Sequence, residues 1–182
     1  MQDYLVTVEW RPFYLRPDTP PEGMELPDYV KAHMAQTDSH LKQMANAAGL
    51  EMVFPNRIPN TRIAHEATEF ATQKGKQLEF HRMVFDLYYA KGEDIGTWDV
   101  LRKAANTVGL DADEMQREVE SGKYTATVSE QVQEAYQLGV TGVPTYVLND
   151  RYAIVGAQPY EAFLKALQQI EKDLQNNREK ND

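Results

Sequence analysis

The sequence predicts a mixed α/β chain in which one β layer is interrupted by a helical block. Three observations carry that expectation. A period-two run opens the chain, helical apolar spacing then dominates from Leu26 to about Gly122, and two short β-type runs precede a last amphipathic helix. The first run, Val6-Thr-Val-Glu-Trp-Arg11, places Val6, Val8 and Trp10 on one side of a strand, so Trp10 is expected in the core. Pro12 limits that strand, and Leu15 to Gly23, with three prolines and a glycine, reads as a loop. Pro27 suits a helix start, and Leu41, Met44 and Ala48 continue a helical stripe that Gly49 stops. Ile63, Ala67, Phe70 and Ala71 form the stripe of a helix opened by Asn60, and Phe80, Met83, Val84, Leu87 and Tyr88 form another. Two shorter helices, about Thr97 to Val108 and Asp111 to Ser121, flank Gly109. A helix carrying Val128, Val132, Ala135 and Tyr136 ends at Gly139. Thr145–Leu148 and Arg151–Val155 then read as a hairpin around the two-residue link Asn149-Asp150. Pro159 opens the last helix, striped by Phe163, Leu164, Leu167 and Ile170. The β-containing part is expected over 1–23 and 125–182, with the helical insertion at 24–124.

Composition narrows the functions. With 182 residues, 42% of them hydrophobic, the chain can bury about 70% of its unfolded surface without staples. Nineteen Lys and Arg against 28 Asp and Glu give a net charge of −9, which repels nucleic acid and anionic lipid. No apolar run matches a membrane span, and Met1-Gln-Asp-Tyr4 does not resemble a signal peptide, so the chain is expected in the cytoplasm, away from nucleic acid and membrane. Cysteine is absent. Thiolate catalysis, dithiol redox chemistry and Zn–thiolate binding are therefore impossible within these residues.

Four segments together resemble the DsbA-like branch of the thioredoxin superfamily and, within it, the FrnE-like dithiol-disulfide isomerase group: Glu9-Trp-Arg-Pro-Phe13, Ile58-Pro-Asn-Thr-Arg-Ile-Ala-His65, Gly139-Val-Thr-Gly-Val-Pro-Thr145 and Gly156-Ala-Gln-Pro159. The resemblance implies a thioredoxin-like, DsbA-type sheet with a helical insertion and a cis bond before Pro144, beside the active site. It also implies a strand and a Cys-x-x-Cys motif ahead of what here is the first strand, and neither is present, so the fold is expected to be N-terminally incomplete. In the family's sheet that strand is central. Its neighbours would then carry unpaired edges, so self-association, as a homodimer, is expected.

Taken on residues alone, Val143-Pro144 reads as an ordinary trans loop proline, Asn60 as a helix N-cap, His65 as an exposed helix position and Arg11 as a surface ion pair. The resemblance instead implies a groove lined by Val143, Pro144, Thr145, Asn60, Thr61, His65 and Arg11, fit for an extended peptide or a glutathione-like thiol. No residue is assigned catalysis, and no cofactor or metal is expected: His65 and Glu69 stand at i, i+4, but no third ligand motif accompanies them. The function that follows is a protein disulfide oxidoreductase family member that is redox-inactive as this cysteine-free chain. Two alternatives are a glutathione-linked isomerase or transferase resembling 2-hydroxychromene-2-carboxylate isomerase, and a non-catalytic peptide-binding or dimer scaffold.

Overall fold

A computed structural model describes residues 4–28, 31, 41–53 and 57–179. The chain divides into two compact units, residues 16–130 and residues 1–15 with 131–182.

The 16–130 unit is built on helices whose apolar stripes meet. Helix α1 (Arg62–Gln73) buries Ala64, Ala67, Phe70 and Ala71, and α2 (Gln77–Phe85) buries Phe80 and Val84. A π-helical turn, Asp86–Ala90, extends α2 and carries the buried Leu87. Helices α3 (Trp98–Thr107) and α4 (Ala112–Glu120) add Leu101, Ala104, Ala105, Met115 and Val119 to one cluster, which Tyr124 joins. Burying a side chain such as Phe80 or Leu87 contributes about 1.5–3 kcal/mol, so this cluster dominates the unit's stability. Asp111 starts α4 by accepting from the backbone N–H groups of Asp113 and Glu114, each at 2.9 Å. The helix expected from Pro27 lies largely outside the described residues; residues 41–47 are helical.

Two elements of this unit go unannounced in the sequence. Strand β1 (Met24–Glu25) pairs antiparallel with β2 (Arg57–Ile58). Two-residue strands show no periodicity, so the pattern from Leu26 read only as helix. Gly23 makes the pairing possible: its φ is +73°, and a Cβ there would meet the Ile58 carbonyl oxygen at 2.8 Å. Arg57 donates to the Glu22 carbonyl at 2.8 Å and Asn60 to the Thr19 carbonyl at 2.7 Å, which ties the Pro-rich loop down.

In the second unit the expected single β layer is reduced to a hairpin. Residues 4–14 form no strand ladder, and Val6, Val8 and Trp10 are 52%, 68% and 42% exposed, so the strand at Val6–Arg11 and the core placement of Trp10 are both corrected. Alternation makes a segment suitable for a sheet; the ladder also needs a neighbour, and among the described residues no strand lies alongside. The segment's later residues are anchored on α5 (Thr125–Gln137): Phe13 meets Tyr136 edge-to-face at 5.4 Å, and the Tyr136 hydroxyl donates to the Tyr14 carbonyl at 3.4 Å.

Strands β3 (Thr145–Leu148) and β4 (Tyr152–Val155) pair antiparallel with Thr145 opposite Val155 and Leu148 opposite Tyr152. Asn149 and Asp150 take positive φ, 53° and 54°. Arg151 belongs to the turn rather than to the strand, because its N–H donates to the Leu148 carbonyl at 3.2 Å, and the connection is one residue longer than expected. Helix α6 (Tyr160–Glu179) packs on the hairpin through Phe163, edge-to-face with Tyr146 at 4.9 Å, and through Asp173, which accepts from the Tyr152 hydroxyl. No helix among the described residues is long and apolar enough to cross a membrane.

Candidate functional site

The turn from α5 into β3 ends in a cis bond between Val143 and Pro144. Thr145 braces that turn by donating its hydroxyl to the Gly142 carbonyl at 2.7 Å, and the Pro144 carbonyl accepts from the Gly156 N–H at 2.8 Å. Val143 stays 55% exposed. What the turn offers chemically is main chain: an exposed residue beside a fixed strand start, where an extended ligand can pair. Arg11, in the same unit, is held by two exposed carboxylates, Glu9 at 3.0 Å and Glu134 at 3.8 Å, so a ligand carboxylate must compete for it.

Asn60, Thr61 and His65 lie in the 16–130 unit. Both ends of the Asn60 amide are used, Oδ1 accepting from the Arg62 N–H at 3.0 Å and Nδ2 donating to Thr19. Thr61, and not Asn60 as read from the sequence, is the N-cap of α1 and makes no side-chain capping bond; its carbonyl accepts from the His65 N–H at 3.0 Å. His65 departs from the exposed position read from its spacing. It is half-buried, and burial first, with nearby His81 second, lowers its pKa to about 4, so its imidazole is neutral at pH 7. His81 is lowered too, by burial, and begins an aromatic run along one side of α2: His81 to Phe85 at 4.3 Å, Phe85 to Tyr89 at 5.5 Å. Burial above all pushes Tyr88, beside Tyr89, up to about 12. Among the described residues no three His, Asp or Glu side chains are grouped to hold a metal ion.

Two polar sites escaped the sequence reading. Glu66 is 1% exposed, bridged by Arg62 at 3.1 Å and by the Thr125 hydroxyl at 3.0 Å. Its register gave a signal, since Glu66 falls between Ile63 and Phe70 on the apolar stripe of α1. Tyr124 is buried edge-to-face on Phe70, and its hydroxyl hydrogen-bonds Glu118, to which Lys123 also donates at 2.8 Å. Nothing in the spacing marks that cluster.

The DSBA-like thioredoxin domain family matches residues 1–168. The chain belongs to that family. Among curated relatives, YwbO of Bacillus subtilis (strain 168) is 34% identical over 170 residues, covering 92% of this chain and 84% of that protein. Among solved structures, a probable DsbA oxidoreductase from Streptomyces coelicolor superposes with a TM-score of 0.79 at 27% identity, over 87% of this chain and 73% of that one. A 2-hydroxychromene-2-carboxylate isomerase superposes with a TM-score of 0.65 at 20% identity, over 84% and 72%, a likeness of fold. The DsbA-like, thioredoxin-type fold read from the four sequence segments therefore stands. This DsbA-like chain contains no cysteine in its 182 residues, so none of its own groups can exchange a disulfide.

Proposed function

We propose that this chain is a redox-inactive, FrnE-like member of the protein disulfide oxidoreductase branch, retaining the binding half of thiol–disulfide exchange without its sulfur chemistry. It holds an extended peptide or a glutathione-like thiol along the main chain at Val143, with Pro144 and Thr145 fixing the strand start. The carrying observation is the family match over residues 1–168 in a chain with no cysteine. The braced turn supports the binding role: Thr145 and Gly156 occupy the Gly142 and Pro144 carbonyls and leave Val143 outward.

Two measurements on the purified chain test this. Insulin reduction and disulfide isomerisation stay at the blank rate; turnover above it defeats the redox-inactive reading. Calorimetry with reduced glutathione and with an extended peptide gives saturable heat for at least one of them, weakened several-fold by Thr145→Val, which removes the hydroxyl bracing Gly142. Absence of heat from both at millimolar ligand defeats the binding role.

A further inference from the structure

In the 131–182 part of the chain the hairpin packs one face on α6, where Tyr146 is still 40% exposed, and exposes most of the other, where Thr145 is half-buried. Tyr146 and Tyr152 point to α6, through Phe163 and Asp173. Thr145, Val147, Ala153 and Val155 share the opposite face by register, and Val147 and Val155 there are 42% and 60% exposed. An antiparallel sheet with a solvated face carries polar residues on it; beyond Thr145 this one carries only two valines and an alanine.

Among the described residues no strand pairs with the outer edge of β3, and the hydrogen-bond alternation shows which groups it offers. Gly156 donates to Pro144, so these residues form a hydrogen-bonded pair, and the opposed pairs Tyr146–Ile154 and Leu148–Tyr152 repeat that type. Thr145 and Val147 belong to the other type, with N–H and C=O directed away from β4. On the outer side of β4, the Val155 carbonyl accepts from Gln158 at 2.9 Å, so that edge is partly closed. Strand β3 is uncharged and free of proline, and lacks the side chains that normally blunt an edge.

The same unit contains the complement. Leu5 to Trp10 alternates as a strand from Val6 onward, joins no ladder among the described residues, and exposes Leu5, Val6 and Val8. One chain thus holds both an open edge and a strand-type segment without a ladder, which is what a two-fold exchange between identical copies requires. We propose that a second copy covers this side of the hairpin, the Val6–Trp10 segment of each copy adding to the β3 edge of the other and laying apolar side chains over Val147 and Val155. Association of this kind needs no peptide or thiol, so it stands or falls separately from the ligand reading.

Sedimentation equilibrium and amide hydrogen exchange across a concentration series test it. A concentration-dependent dimer is expected, in which the Thr145 and Val147 amides slow about tenfold or more on association while Tyr146, already bonded to β4, changes little. Val8→Lys, in a segment outside every ladder, weakens the dimer about tenfold or more, as loss of a buried valine implies; Val147→Lys does the same from the other side. If Val147→Lys disrupts the hairpin, Val8→Lys alone decides. A monomer at every concentration overturns the proposal. So does a dimer insensitive to Val8→Lys whose Thr145 and Val147 amides exchange at the monomer rate.

Discussion

His65 shows how one side chain couples burial to stability. Its pKa in the folded chain is about 4, below the ordinary 6.5 of the unfolded chain, and burial is the main cause. Below pH 6.5 the unfolded state takes up a proton that the folded state refuses, so this contribution is intact above 6.5 and is lost as the pH falls toward 4. His81, also lowered, acts in the same direction. Urea midpoints should therefore fall across that window, with His65 accounting for up to about 3 kcal/mol, and His65→Leu should flatten the profile there; an equally steep profile in the variant assigns the loss to other groups. The sequence placed His65 outside the Ile63–Phe70 stripe, which is correct, but a helix face can be half-covered by a second helix that spacing within the first does not reveal. Tyr124 is a similar case. Its hydroxyl serves the Glu118 carboxylate from a buried ring, so Tyr124→Phe should lower unfolding stability by about 1–2 kcal/mol in chemical denaturation.

At the scale of elements, helices α1 to α4 were legible because each carries its own evidence: a stripe such as Leu101–Ala104–Ala105, or a cap such as Asp111. Strands carry half of theirs on a neighbour. Val6–Arg11 has the alternation but, among the described residues, no paired strand, whereas Thr145–Val155 encodes its paired strand and its turn in one stretch. That turn holds two non-glycine residues at positive φ, where glycine is at ease. Asp150→Gly should accordingly raise the thermal midpoint of the chain, by about 0.5–1 kcal/mol of stability, and a lower midpoint would show that the Asp150 side chain has a role of its own. Gly23→Ala goes the other way. Both its +73° φ and the 2.8 Å approach of the Ile58 carbonyl resist a Cβ, so a loss of about 1–3 kcal/mol is expected, accompanied by faster exchange of the β1–β2 amides.

For the whole molecule, the sequence revealed family membership and the absence of thiol chemistry more readily than it revealed the state of the sheet. Motifs such as Gly142-Val-Pro-Thr145 are local, while a sheet is a relation between distant segments. The net charge of −9 now bears on the proposed dimer. Two like-charged copies repel one another, yet the elements that would meet are nearly neutral: β3 has no charged side chain, and Val6–Trp10 has only Glu9. Attraction across that contact is apolar and main-chain, while repulsion is long-range and carried by the rest of the surface. Salt shortens the reach of that repulsion to about 10 Å at 0.1 M and about 3 Å at 1 M, without weakening the apolar contact. Raising salt from about 0.02 M to 0.5 M should therefore tighten the dimer several-fold by sedimentation. Loosening with salt would mean that ion pairs such as Arg11 to an acidic neighbour hold the copies together, and would move the interface away from the β3 edge.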